Sequence, residues 1–328
     1  MQVRLICPAP PRSRSGNRIT ALRWARVLRG LGHSVSIAGG FAGEPCDVMV
    51  ALHARRSAGA VFRYRERHDG KSLLIALTGT DLYGDLGQSR EAQRALELAD
   101  RLIALQPLAA CRLAPELRQK LRVIYQSVSA TPGPAGRSER WFDVCVAGHL
   151  RAVKDPFRAA LAARALPAGS RVRIWHAGAA LDPGMAERAE REERRNPRYR
   201  WLGELPRWRL RRLIARCHLL VLSSRMEGGA NVISEAVVDG TPVLASEIDG
   251  SVGLLGADYP GYFAVGDTAD LRRLIERAQG DPGFYEKLRA GCRRAAPLFE
   301  PRRERRAWKA LLSELQPSRS RPRPNPGP

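Results

Sequence analysis

The sequence predicts an α/β protein built from two halves of similar plan, each a doubly wound parallel sheet. Three observations carry this expectation. Short Val-, Ile- and Leu-rich runs alternate with segments of helical composition along most of the chain, which specifies parallel strands covered by helices on both faces. The alternation is interrupted over 126–141, where Pro, Gly and Ser break the periodicity and mark a domain boundary. The length, 328 residues, also suits two ordinary cores.

Taken in order, residues 3–7 read as a buried opening strand. A Pro- and Ser-rich loop follows, and then a helix carrying Ile19, Leu22, Trp24, Val27 and Leu28 that stops near Gly30 and Gly32. Further strands are expected at 34–38, 47–52, 73–77, 101–105 and 123–125. The second series starts at 142–147 and continues through 172–177, 200–202, 219–222 and 242–245. Helices lie between, for instance over 156–166 and 206–217, each with an early proline. Three more are expected at 268–279, 282–293 and 304–315. The proline- and arginine-rich residues 316–328 cannot bury a core and read as a disordered basic tail.

Composition narrows the class. Hydrophobic residues make up 44% and charged residues 27%, and no run approaches the roughly 20 apolar residues of a membrane-spanning helix. The opening residues are too short and strand-like for a signal peptide, so a cytoplasmic location is expected. Six cysteines are scattered without close pairs, which argues against a zinc site or a disulfide framework. The net charge of +22 would attract phosphate without regard to sequence, yet the excess is dispersed and almost all arginine, so no dedicated nucleic-acid partner is expected.

The most informative stretch is Glu227-Gly228-Gly229-Ala230-Asn231-Val232-Ile233-Ser234-Glu235. It follows the strand at 219–222, and its glycines would let the backbone approach a ligand closely. Asn231 or a neighbour would cap a helix whose N–H groups suit a phosphate. Glu227 and Glu235 either meet the hydroxyls of a nucleotide sugar or are a loop charge and a solvated helix glutamate. Gly148-His149-Leu150-Arg151-Ala152-Val153-Lys154 follows the first strand of the second half. Its glycine turn and cations could hold a diphosphate and neutralise a departing one. On the first half's strand ends lie Arg12, Arg14, Gly16, Asn17 and Arg18, then His53, Arg55 and Arg56, then Thr78-Gly79-Thr80-Asp81. The arginines either receive an anionic substrate or are solvated. His53 and Asp81 are either catalysts or turn and cap residues.

Together, the Glu-x7-Glu pair and the Gly-x-Leu-x3-Lys loop resemble the GT-B glycosyltransferases of the retaining family that includes sucrose- and mannosyl-transferring enzymes. The resemblance implies two Rossmann-like domains facing a central cleft. Residues 1–126 would be the acceptor side, 127–141 a linker, 142–300 the nucleotide-sugar domain and 301–315 a closing helix. It also implies that Glu227 contacts the donor sugar and Glu235 the ribose. Gly148, Lys154, Gly228, Gly229, Ala230 and Asn231 would hold the diphosphate without a metal ion or other cofactor. Where the family commonly has arginine this chain has His149, which leaves His149 and Arg151 as alternative partners in the diphosphate clamp.

A narrower likeness covers almost the whole chain. Ser13 to Arg18, Ala51 to Ser57, Leu77 to Tyr83, Gly148 to Pro156, Trp201 to Pro206 and Glu227 to Glu235 are similar to the selenosugar synthases of selenoneine biosynthesis. The likeness implies transfer from UDP-N-acetylglucosamine or UDP-glucose to selenophosphate, with release of UDP. Arg14, Arg18, Arg55 and Arg56 would then receive an anionic acceptor, and Lys154, Glu227, His53 and Asp81 would serve the chemistry. The sequence displays no apolar or aromatic groove for a lipid acceptor, and its arginine-rich helices lack a wide apolar face for membrane docking.

Overall fold

The computed structural model describes residues 1–13, 15–133 and 136–315. Arg14 and the tail 316–328 therefore lie outside the described residues. The first half holds β1 (Gln2–Ile6), β2 (Ser34–Ala38), β3 (Val48–Leu52), β4 (Ser72–Ala76), β5 (Arg101–Ala104) and β6 (Leu121–Val123), with α1 (Gly16–Arg29), α2 (Ala54–Arg67), α3 (Arg90–Leu98) and the one-turn α4 (Pro115–Arg118). The second holds β7 (Phe142–Ala147), β8 (Val172–Ala177), β9 (Tyr199–Trp201), β10 (Leu219–Leu222), β11 (Val243–Ser246) and β12 (Tyr262–Phe263). Its helices are α5 (Arg158–Arg164), α6 (Met185–Arg195), α7 (Arg207–Arg216), α8 (Asn231–Val238), α9 (Asp249–Leu255), α10 (Thr268–Gly280) and α11 (Pro282–Ala295), and α12 (Pro301–Glu314) closes the chain. Every residue of β3 and of β7 is buried, as a parallel sheet covered on both faces requires.

The sheets are wholly parallel, in the orders β2-β1-β3-β4-β5-β6 and β12-β11-β10-β7-β8-β9. In the first, the strand order reverses between β1 and β3; in the second, between β7 and β10. Ligands of open α/β sheets bind outside the carboxyl ends of the strands at such switch points. The loops after β1 and β3 and those after β7 and β10 therefore form two crevices, and these carry the residues singled out above, apart from Thr78 to Asp81, which follow β4.

Some elements differ from expectation. The sixth strand lies at Leu121–Val123, two residues earlier than its apolar run suggests. Pro206 is the N-cap of α7 rather than a residue inside it, and Pro156 precedes the Phe157 cap of α5. β12 is a two-residue edge strand, too short to leave a pattern. α9, where no element is expected from the sequence, contains Gly250 and Gly253. A Cβ at Gly250 would lie 2.1 Å from the Glu227 carbonyl oxygen, and one at Gly253 2.1 Å from Gln106 Oε1. The helix thus accepts two poor helix formers to pack against its neighbours.

The chain crosses between halves twice. Segment 126–133 lies along the second half, with Val128 N donating to Phe299 O at 3.0 Å and Thr131 to Asp239 at 2.7 and 2.8 Å. α12 then returns to the first half. Its Trp308 meets Trp24 of α1 edge to face at 5.0 Å, within the cluster that covers one face of the first sheet.

Candidate active site

The crevice of the second half is knitted from the loops after β7 and β10. The Gly148 carbonyl accepts from His176 Nε2 at 3.1 Å, while His176 Nδ1 accepts from the Tyr199 hydroxyl at 3.0 Å. Burial lowers the His176 pKa to about 4, so the imidazole is neutral with its proton on Nε2. Beyond it, Ala152–Lys154 forms a 3-10 turn, and Asp155 reverses the chain at φ 44°. Ser223 Oγ donates to the Asp155 carbonyl at 2.8 Å, and Arg225 N to the Val153 carbonyl at 2.9 Å. These bonds deliver Lys154 to Glu227: its ammonium donates to Glu227 Oε1, which also accepts from Ser224 Oγ at 2.8 Å.

The remaining donor-side candidates are distributed less evenly. The N-cap of α8 is Ala230, without a side-chain cap, so Asn231 is the first helical residue rather than the cap. Its Oδ1 instead accepts from Arg23 of the first half at 2.8 Å. Glu235 is buried, and Arg207 of α7 donates to it at 2.9 Å. Burial raises the Glu235 pKa, while Arg207, Arg211 and Arg23 oppose the rise. His149 Nδ1 accepts from Ala179 N at 3.1 Å, which ties the ring to the loop after β8. Arg151 lies 3.7 Å from Asp182 and its side chain is 42% exposed. Of the two alternatives for the clamp, Arg151 is the more exposed and His149 is tied to the backbone of a neighbouring loop.

In the first half, Gly16 and Asn17 open α1, Arg18 is half-buried within it, and Arg55 and Arg56 are exposed at the start of α2. His53 and Asp81 are not exposed at all. His53 is the N-cap of α2 at φ 71°, with Nε2 3.1 Å from Thr80 Oγ1. Asp81 accepts from Thr78 N at 2.6 Å, Thr78 Oγ1 at 2.8 Å, Leu82 N at 3.1 Å and Ala54 N at 2.8 Å. Burial nevertheless raises its pKa to about 6. A sealed carboxylate with four donors organises loops, which favours the turn-and-cap reading of Asp81 over the catalytic one.

The halves meet at these loops. A Cβ on Gly79 would lie 2.7 Å from Gly228 N, one on Gly228 2.7 Å from Gly79 N, and one on Gly229 2.6 Å from Leu105 Cβ. The glycine pair therefore serves close packing against the first half, not only approach to a ligand. Beside it, Arg112 donates to Asp249 across the cleft at 2.8 Å. A cavity of about 710 Å³ opens here between the halves, its wall including Leu82, Tyr83, Leu86, Leu113, Glu227 and Ile248. The apolar part of this wall corrects the expectation that the cleft has none. Its side chains come from separate segments, 82–86, 113 and 248, and only folding joins them.

Residues 134–297, half of the chain, match the family described as glycosyl transferases group 1. The chain belongs to this glycosyltransferase family. Solved structures of similar fold include Anabaena HepE in complex with UDP, at 17% identity and a TM-score of 0.75, over 95% of this chain and 99% of that one. Sucrose-phosphate synthase from Thermosynechococcus elongatus is similar at 16% identity and a TM-score of 0.78, over 96% and 98%. A glycosyltransferase from Rickettsia africae aligns at 13% identity and a TM-score of 0.74, over 96% and 98%. Likeness at these identities carries the fold, which is GT-B.

Sequence reasoning missed several residues of this candidate site. His176 lies inside a strand, Ser224 in a short polar turn, and Arg23 and Arg207 among many arginines. None has a motif of its own. Their roles follow from Gly148, Glu227, Asn231 and Glu235, which they contact. Among the described residues no helix is long and apolar enough to cross a membrane.

Proposed function

We propose that this glycosyltransferase joins the sugar of UDP-N-acetylglucosamine or UDP-glucose to selenophosphate, forming a carbon–selenium bond and releasing UDP, in selenoneine biosynthesis. The observation that carries the donor half is the meeting of Lys154, Ser224 and Glu227 beside the N-terminus of α8, at the switch point of the second sheet. Solved relatives of the same fold add support, since HepE was captured with UDP-glucose. Arg18, Arg55 and Arg56 at the opposite crevice, together with the narrower sequence likeness, support an anionic acceptor.

In this reading Glu227 contacts the donor sugar and Glu235 the ribose, sharing Arg207. Lys154, Arg151 and the amides of Gly228 and Gly229 hold the diphosphate, and neither a metal ion nor another cofactor is used. Selenium is a soft, ionised nucleophile. Its electron pair forms the bond to the anomeric carbon as the carbon–oxygen bond to UDP breaks, and no proton need be removed from it. Catalysis then consists of alignment and of charge stabilisation on departing UDP. His53 orients the acceptor through the loop it caps.

The reaction is tested by mass spectrometry of products from either UDP-sugar, with and without freshly generated selenophosphate. A selenium isotope pattern on a hexose product, with UDP released only when selenophosphate is present, is expected. Lys154→Ala should then lower kcat/KM by about 10²–10³. UDP release without a selenium product would overturn the acceptor. The apolar wall of the cavity favours a second reading in that event, transfer to an oxygen acceptor with an apolar portion, such as a lipid of cell-envelope glycan synthesis.

A further inference from the structure

We infer that Asp81 and Gly79 are positioning residues that make the geometry of Glu227 depend on closure of the cleft. Asp81 is inaccessible to any substrate, yet its carboxylate gathers two loops. Oδ1 receives the amide and hydroxyl of Thr78 and the amide of Leu82, and Oδ2 receives the amide of Ala54. It thereby ties the turn after β4 to the residue that follows His53 at the end of β3. Gly79 stands on this turn, and its Cα faces Gly228 so closely that a methyl group on either would lie 2.7 Å from the other's amide nitrogen. Gly228 is the neighbour of Glu227. On its other side, the Glu227 carbonyl is backed by Gly250 of α9, where a Cβ would lie 2.1 Å away.

The backbone of Glu227 is thus held between a wall of its own half and a wall supplied by the other half. The second wall is a turn whose shape is set by Asp81. When the halves separate, Glu227 loses that wall, and its placement toward Lys154 and Ser224 loses a constraint. Coupling of this kind lets a transferase assemble its donor site only when the acceptor side is in place. The inference rests on the reading of Glu227 as a donor-sugar residue.

The test is a double-mutant cycle across the cleft, pairing Asp81→Asn with Gly228→Ala, alongside Gly79→Ala. Gly79 does not occupy the left-handed region, so its backbone tolerates alanine, and Gly79→Ala carries the test should Asp81→Asn fail to fold. Small-angle scattering with UDP present is expected to show a larger radius of gyration for Gly79→Ala and Gly228→Ala than for the native protein. UDP affinity by calorimetry should change by less than about threefold for Gly79→Ala and Asp81→Asn, because UDP would bind the second half and neither residue belongs to it. In turnover of the UDP-sugar, each single variant should lose about tenfold in kcat, and the Asp81→Asn/Gly228→Ala pair should lose much less than the product of the singles. An unchanged radius in Gly79→Ala, or multiplicative losses in the pair, overturns the inference. Native protein that binds no UDP overturns the donor reading instead, while the scattering comparison still decides the coupling.

Discussion

His176 illustrates how one buried side chain can govern the shape of a loop. Its ring links Tyr199 to the Gly148 carbonyl, and the bond that Nδ1 accepts from the Tyr199 hydroxyl requires the neutral form. Burial lowers its pKa from 6.5 to about 4. Between those values the unfolded chain binds a proton that the folded one refuses, so stability is lost as pH falls below 6.5. From pH 7 to pH 5 this amounts to about 2 kcal/mol from this residue. Urea unfolding at both pH values should show that His176→Gln, which keeps a donor for Gly148, is less acid-sensitive than the native protein by about that amount. A variant with the native pH slope would assign the acid sensitivity to other groups. Lys154 and Glu227 stand in a different relation: each meets the other, and Glu227 keeps the Ser224 hydroxyl as a second partner when Lys154 is removed.

At the scale of elements, the loop after β7 and the loop after β8 are packed backbone to backbone. A Cβ on Gly178 would lie 1.9 Å from the Gly148 oxygen and 2.8 Å from His149 N. Both are main-chain atoms and cannot turn aside as a side chain would. Gly178→Ala should therefore displace the Gly148 turn and lower stability by about 1–3 kcal/mol, with weaker UDP binding, read by thermal unfolding and calorimetry. The same substitution at Gly16, where nothing lies within 4 Å of an added Cβ, should leave stability almost unchanged. Glycine at 228 was legible as a ligand-site residue from its place between strand and helix. Its second service, against Gly79, was not legible, because the two lie on different halves of the chain.

At the scale of the molecule, α12 makes the first half dependent on the end of the chain. Trp308, Leu311 and Leu312 are buried in the cluster with Trp24, and Glu304 accepts from the amide of Ser127 at 3.0 Å beside the crossover. Trp308→Ala should cost about 3–5 kcal/mol, and chemical denaturation should show the first half losing structure before the second. Simultaneous loss in both halves would mean that the interface joins them into one folding unit.

The sequence by itself determined the α/β class, the two-series plan and most strand positions, since alternating apolar runs and helical segments are local patterns that parallel sheets demand. It also determined which residues stand at the crevices, because Glu227, Glu235, Gly148 and Lys154 sit at fixed distances from strand ends. Only the tertiary structure decided their partners. The strand orders bring β7 beside β10, and with them Lys154 to Glu227, which lie 73 positions apart in the chain. Asp81 became a tie between loops rather than a catalyst because both its oxygens are filled by groups from neighbouring strand ends. The apolar wall of the cavity and the glycine contact across the cleft arise from segments that no local spacing relates. Burial and partnership are properties of the closed fold, and linear order does not encode them position by position.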